Sequence, residues 1–184
     1  MAEIDYTQVE TDIGMKIMLK LSMYCALVIF LVLSSNLSYA QQRCSGSEYQ
    51  QFDFWVGEWN VYNTAGDKVG INAITKTFDG CALHEQYQNM RDYRGASYNI
   101  YDATREVWHQ TWVDNGGLLL VLEGGVIDGK MVLSGETQNT DGKVLKQRIS
   151  WELLNDGRVR QLWETRQQDE DWTVAFDGYY ERQP

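Results

Sequence analysis

Apolar and polar residues alternate along most of the chain after residue 54. The clearest case lies between residues 144 and 153, where one set of alternate positions is mainly apolar and the other polar: Leu145, Ile149, Trp151 and Leu153 against Lys146, Arg148, Ser150 and Glu152. Successive side chains of a strand point to opposite faces, whereas a helix repeats every 3.6 residues. A two-residue period therefore predicts a β-strand with one buried face.

Glycine turn signals separate such segments at nearly regular intervals, and most are Asp-Gly pairs, which suit the tight turns of β-hairpins. The runs between them are rich in Val, Ile, Thr, Tyr, Phe and Trp. They predict ten strands, at 55–62, 69–78, 82–89, 96–101, 106–113, 118–127, 131–138, 144–153, 158–165 and 172–181. Residues 47–54 predict a short helical turn that closes one end.

Short connections between consecutive strands favour an up-and-down sheet, and closure of that sheet would remove its exposed edges. We therefore expect an all-β fold, a single antiparallel up-and-down β-barrel of about 8–10 strands. A two-sheet sandwich is the structural alternative. At 43% hydrophobic residues, the composition is that of a folded domain.

The first 40 residues predict export. Lys16 and Lys20 precede an apolar run at 21–33, and small or polar residues then lead to Ala40. A charged segment, an apolar run and a small residue follow one another in this order in a signal peptide. The apolar run is also too short to span a membrane, which takes about 20 residues. An N-terminal anchor is the alternative. The acidic residues 1–14 are unusual before such a segment and favour Met15 as the start.

The predicted organisation is an N-terminal extension and signal peptide at 1–40, followed by a barrel domain at 41–184. We expect a periplasmic or secreted bacterial protein with no stable membrane span after cleavage. Of the three cysteines, Cys44 and Cys81 lie after the predicted cleavage site. An even count in an exported protein favours a disulfide, although two free buried thiols are the alternative. In the chain-entropy model the bond would contribute roughly 4 kcal/mol.

The charge and the motifs exclude several function classes. The formal net charge is −10, from 16 Lys and Arg against 26 Asp and Glu, which argues against a nucleic-acid partner because phosphate binding needs clustered basic residues. The chain has no Gly-x-Ser-x-Gly, no P-loop and no Gly-x-Gly-x-x-Gly motif. The carboxylates Asp102, Asp114 and Glu123 have no spacing that pairs them for catalysis.

All seven tryptophans lie after residue 54. On the strand at 106–113, both faces mix apolar and polar residues, which favours a ring-lined cavity with a few hydrogen-bonding groups. A filled core in which each polar group has a partner is an equal alternative. The residues predicted to bind a small, largely apolar ligand are Trp108, His109, Trp112, Trp151 and Trp163, with His84 at one rim.

The two histidines also raise rival hypotheses. They lack the spacing of a zinc site, and either could serve as a single axial haem ligand, but a structural role is the simpler expectation. We therefore predict no metal, no cofactor and no catalytic residue. One alternative is a barrel enzyme, a hydrolase or isomerase that uses His84 or His109. Another is a carbohydrate-binding module, which would need a row of exposed aromatic rings.

The first predicted strand carries Gly57-x-Trp59 after Phe52-Asp53, and this resembles the motif that opens lipocalins and other calycins. Longer strings are similar to an uncharacterised family of secreted bacterial proteins, a domain of unknown function: GCALHE at 80–85, YNxYD at 98–102, WHQTWVD at 108–114 and GxMVL at 129–133. The resemblance implies a calycin-like, lipocalin-like barrel and no particular activity. It also implies that Trp59 closes the barrel base and stacks on a basic residue, either Arg160 or Arg182.

Overall fold

The structure is a computed structural model that describes Met18, residues 43–168 and residues 170–184. The predicted signal peptide, its cleavage after Ala40 and the start at Met15 lie outside the described residues. Within the described part of the chain, no helix is long and apolar enough to cross a membrane.

Ten antiparallel strands make up a closed barrel. They are β1 (Gly57–Asn63), β2 (Lys68–Thr77), β3 (Ala82–Asn89), β4 (Arg94–Asp102), β5 (Val107–Asp114), β6 (Leu119–Ile127), β7 (Lys130–Gln138), β8 (Val144–Leu153), β9 (Val159–Gln167) and β10 (Thr173–Arg182). Each strand pairs with its neighbours in sequence, and β10 pairs with β1 to close the sheet. The predicted up-and-down barrel is confirmed, and the two-sheet sandwich is not formed.

The strand bounds differ from the predicted ones by a few residues. The first strand starts at Gly57 rather than at Trp55, because two short 3-10 helices, Ser47–Gln50 and Asp53–Trp55, precede it. A third 3-10 helix, Phe78–Gly80, follows β2. Between β6 and β7 only Asp128 and Gly129 remain for the turn. Both have positive φ, of 50° and 78°, as a type I′ hairpin turn requires.

The 3-10 segment at 47–55 fills one end of the barrel, which we call the plug end. This is the end with the β2–β3, β4–β5, β6–β7 and β8–β9 hairpins. Phe52 stacks on Trp55 with ring centroids 4.9 Å apart, and its ring also meets Trp108 and Trp151 at 5.7 and 5.1 Å. All four side chains are buried. Clusters of this kind add about 0.5–1.5 kcal/mol per ring pair beyond the area that they bury.

A disulfide holds the segment that carries the plug. Cys44 and Cys81 are bonded, with their Cα atoms 5.0 Å apart, so the predicted disulfide is confirmed. Cys44 lies just before the plug and Cys81 directly after the 3-10 helix between β2 and β3. The bond therefore joins the start of the described domain to a hairpin at the plug end.

The pair of Trp59 with a basic residue is also present, and it uses Arg182. The Arg182 guanidinium carbon lies 4.4 Å from the Trp59 ring centroid, and its Nη1 donates to the Val56 carbonyl at 3.2 Å. The Trp59 indole N–H donates to the Trp55 carbonyl at 2.8 Å. Arg160 instead pairs with Asp177, at 2.7 Å. The geometry thus decides between the two arginines that the sequence left open.

Candidate ligand-binding site

The other end of the barrel, which we call the cavity end, contains a partly open cavity of about 260 Å³. Its walls are mainly aromatic and aliphatic: Tyr87, Trp112, Leu120, Ile149, Trp163 and Phe176. Polar side chains also reach it, among them Glu85, Gln110, Gln161 and Tyr180. This volume lies just below the range of about 300–1,000 Å³ that is typical of ligand pockets.

Three strand glycines make room for rings of this wall. A Cβ atom at Gly70 would overlap Tyr87, one at Gly95 would overlap Trp112, and one at Gly178 would overlap Phe176. Glycine inside a strand weakens it unless something approaches the backbone closely. Tyr87 and Trp112 thus lie against a glycine of the neighbouring strand, and Phe176 lies against a glycine of its own strand. Glycine inside a strand is a signal in the sequence for such close contacts.

A chain of buried polar side chains crosses β2 to β5 beside the cavity. Asn72 Nδ2 donates to Glu85 Oε1 at 2.7 Å, and Ser97 Oγ donates to Glu85 Oε2 at 2.6 Å. Asn99 Nδ2 then donates to Ser97 Oγ at 2.9 Å, and Gln110 Nε2 to Asn99 Oδ1 at 2.8 Å. Buried polar groups are costly without such partners. The network therefore allows polar side chains to lie inside the barrel.

Glu85 is the acidic member of this network and is only 4% exposed. Burial raises the pKa of its carboxyl from 4.5 to about 7, against the smaller opposing effect of the Ser97 and Asn72 hydrogen bonds. At neutral pH the carboxyl therefore lies near the midpoint of its titration. A perturbed carboxyl that lines a cavity is typical of functional sites, although structural networks produce it too.

The opposite wall has its own hydrogen bonds. The Trp163 indole N–H donates to Gln147 Oε1 at 2.7 Å, and Gln147 Nε2 donates to Thr137 Oγ1 at 2.8 Å. The Tyr180 hydroxyl donates to Gln161 Oε1. These bonds fix the orientation of Trp163 and Tyr180, so the shape of the cavity is largely set before any ligand binds.

The structure divides the six predicted ligand-binding residues among three places. Trp112 and Trp163 line the cavity. Trp108 and Trp151 lie at the plug end, each 1% exposed and packed on Phe52. The two histidines lie on the outer face of the barrel.

The outer-face position of each histidine is shown by its contacts. His84 stacks on Tyr98, which is 49% exposed, at 4.7 Å. His109 is within 3.1 Å of Glu123 Oε1 and 2.8 Å of Thr111 Oγ1. Neither histidine lines the cavity. A barrel enzyme built on either one would therefore work on the outer surface.

The structure also bears on the carboxylates, the metal site and the row of exposed aromatic rings that the alternative functions would need. Asp102 and Glu123 both pair with Arg105, at 2.7 and 2.8 Å. Among the described residues, no group of three His, Cys, Asp or Glu side chains could hold a metal ion. Four of the seven tryptophans are buried and form no exposed row: Trp55, Trp59, Trp108 and Trp151.

Sequence reasoning missed Glu85, although its position carried a signal. Leu83, Glu85 and Tyr87 occupy every second position of β3, so the strand period puts the acid on the same face as two large, mainly apolar side chains.

Comparison with known proteins yields neither a matching protein-family model nor a matching curated protein. The function is therefore argued from the cavity itself.

Proposed function

We propose that this chain is an exported calycin-like barrel protein that binds a small hydrophobic molecule in the cavity end of its barrel. The observation that carries the proposal is the cavity of about 260 Å³, which has aromatic walls and a few polar groups inside a closed sheet. Sites for small molecules have this composition, with apolar walls for affinity and few polar groups for orientation.

The plug end supports the proposal by contrast. There the chain fills the barrel with four aromatic side chains that pack on one another. At the cavity end, the wall rings lie against strand glycines and border the cavity. The apolar walls of the cavity would contribute to binding when an apolar ligand removes their surface from water, at about 25 cal/mol per Å².

Export is supported by the disulfide and by the pattern of the first 40 residues. Disulfides persist in oxidising compartments such as the periplasm and are rare in the cytosol. The Cys44–Cys81 bond therefore suits a periplasmic or secreted protein. A small molecule that is carried outside the cytoplasm would be the corresponding partner.

Native mass spectrometry of protein purified from its own compartment tests the proposal directly. We expect an added mass of small-molecule size that is lost on denaturation. Indole serves as a neutral probe in a parallel calorimetric titration, since its apolar ring suits a cavity that Trp112 and Trp163 line. Clean apo mass together with no saturable response to indole would contradict the proposal.

A matched pair of variants locates the binding. Leu120 lines the cavity and is buried, whereas its neighbour Val121 is 42% exposed. We expect Leu120→Trp to fill the cavity and abolish indole binding, and Val121→Trp to leave it unchanged. Far-UV circular dichroism checks that both variants fold. Unchanged binding in a folded Leu120→Trp variant would place the site elsewhere.

A further inference from the structure

The cavity has one charged side chain and no cation to match it. Its lining contains no Lys, Arg or His, and Glu85 is its one carboxyl group. The hydrogen-bond partners of Glu85, Asn72 and Ser97, are both neutral. A buried carboxylate is costly unless an opposite charge compensates it. Within the described residues that line the cavity, no side chain supplies that charge.

We propose that the ligand is a small organic cation, an amine with an aromatic or aliphatic body, whose ammonium group pairs with Glu85. The inference rests on the proposed function, since it names the chemical class of the molecule that the cavity holds. The body of the ligand lies against Trp112 and Trp163, and its amine points toward β2 and β3.

The hydrogen bonds around Glu85 favour a donor-rich ligand. Each carboxyl oxygen already accepts one bond, from Asn72 and from Ser97, and can accept another. An ammonium group has three N–H donors and no acceptor, so one group can serve the remaining acceptor sites of both carboxyl oxygens.

The walls and the overall charge also favour a cation. Aromatic rings attract cations through their negative faces, by about 0.5–2 kcal/mol depending on desolvation, and the walls include Tyr87, Trp112, Trp163 and Phe176. The chain has a net charge of −10, which draws cations toward it and repels anions. An anionic ligand would be repelled by the Glu85 carboxylate, and no basic side chain of the cavity lining would offset that repulsion.

Three probes with the same ring separate the charge from the shape: phenethylamine, 2-phenylethanol and 3-phenylpropionate. Titration calorimetry at pH 8, where Glu85 without ligand is mostly ionised, measures each affinity. We expect the amine to bind at least about tenfold more tightly than the alcohol, as a charge-assisted hydrogen bond allows, and the carboxylate to bind most weakly.

Glu85→Gln removes the charge and keeps the shape of the side chain. We expect it to remove the advantage of the amine and to leave the alcohol affinity nearly unchanged. Glu123→Gln makes the same change on the outer face, where Glu123 contacts Arg105 and His109, and should alter none of the three affinities.

Proton release gives a second readout. Near pH 6 the free Glu85 carboxyl is mostly protonated, because its pKa is about 7, and pairing with an ammonium group ionises it. Tyr87 and Tyr180 interact with this carboxyl, and their raised pKa values keep them neutral in this range. Calorimetry in two buffers of different ionisation enthalpy should show release approaching one proton per amine bound. Glu85→Gln should release none.

The outcomes separate the two proposals. Equal or tighter binding of the alcohol, or an amine preference that survives Glu85→Gln, would overturn the cation inference and leave the proposed function intact. If no probe binds at millimolar concentration and the purified protein has only its apo mass, the proposed function itself fails.

Discussion

The two ends of the barrel solve the same packing problem in different ways. At the plug end, Phe52 and Trp55 enter from outside the sheet and pack on Trp108 and Trp151 from the strands. At the cavity end, strand residues and Tyr93 of the β3–β4 loop surround a space of about 260 Å³. A barrel of about eight strands is just wide enough for its inward side chains to fill, and larger ones leave room.

The strands do not fill this barrel by themselves. With ten strands the interior is wide, and the plug end is filled because the chain inserts a segment of its own. Nothing equivalent enters the cavity end among the described residues. The same residue type, tryptophan, therefore stabilises the fold at one end and lines a cavity at the other.

The largest expected effect comes from truncating one tryptophan at each end. Trp151→Ala at the plug end removes a ring buried among Phe52 and Trp55 and should lower the free energy of unfolding by roughly 3–5 kcal/mol. Trp163→Ala on the adjacent strand should cost less, roughly 1–2 kcal/mol, since its ring is only partly buried, borders the cavity and donates one hydrogen bond. Urea unfolding measures both. Equal losses would show that the two ends are packed alike.

The disulfide tests whether the plug must be held in place. Its cysteines are 37 residues apart, so replacing both by Ala should lower the free energy of unfolding by roughly 2–4 kcal/mol. We expect the loss to affect the plug end first, with faster hydrogen exchange in residues 47–55 and less change near Trp112. Uniformly faster exchange in both ends would contradict the idea that the bond acts through the plug.

Glu85 makes the stability of the cavity end depend on pH. Its pKa rises from 4.5 to about 7 on folding, so the folded state holds this proton more tightly than the unfolded chain does. The resulting stability is present below pH 4.5 and is lost as the pH rises through 7. Between pH 4.5 and 8 the wild type should lose on the order of 3 kcal/mol relative to Glu85→Gln.

Urea unfolding of both proteins at several pH values measures this difference. Ser97→Ala is a useful companion variant because it removes a hydrogen bond that favours the ionised carboxylate. It should therefore raise the pKa of Glu85 in the folded state and shift the loss of stability to higher pH. A constant difference between wild type and Glu85→Gln across the range would show that Glu85 is not desolvated.

Much of the fold could be predicted from local patterns, because alternation and turn residues are properties of neighbouring positions. The ten strands are an example. The pairing of Cys44 with Cys81, which are 37 residues apart, was instead predicted from the even number of cysteines after the predicted cleavage site. The depth of a side chain in the barrel was harder to predict. Trp108 and Trp112 share one face of β5, yet one lies beside Phe52 and the other lines the cavity.

That difference depends on where the plug ends, and therefore on contacts between residues far apart in sequence.

The histidines show why the inward-facing side of a strand was also hard to predict. His109 alternates with Trp108 and Gln110, and both faces of β5 mix polar and apolar residues, so the period alone could not show which face is inside. The structure shows that Gln110 is buried within a polar network, which makes that face the inner one.

The smallest expected effect concerns the base of the plug end, where Arg182 covers Trp59. Arg182→Ala removes a cation–π contact at 4.4 Å and a hydrogen bond to the Val56 carbonyl, and it should lower the free energy of unfolding by roughly 0.5–1 kcal/mol. Arg160→Ala, which breaks the ion pair with Asp177, is the matched control and should leave Trp59 unaffected.

Fluorescence quenching by acrylamide distinguishes the two arginine variants. Without Arg182 the Trp59 ring gains a solvent-facing surface at the plug end, so quenching should increase, whereas Arg160→Ala should match the wild type. Arg182→Lys should restore part of the protection, because its ammonium can lie over the ring but lacks the planar fork of arginine. If all three variants quench alike, Trp59 is sealed by the plug segment itself, and the plug end is more self-sufficient than the arginine contact suggests.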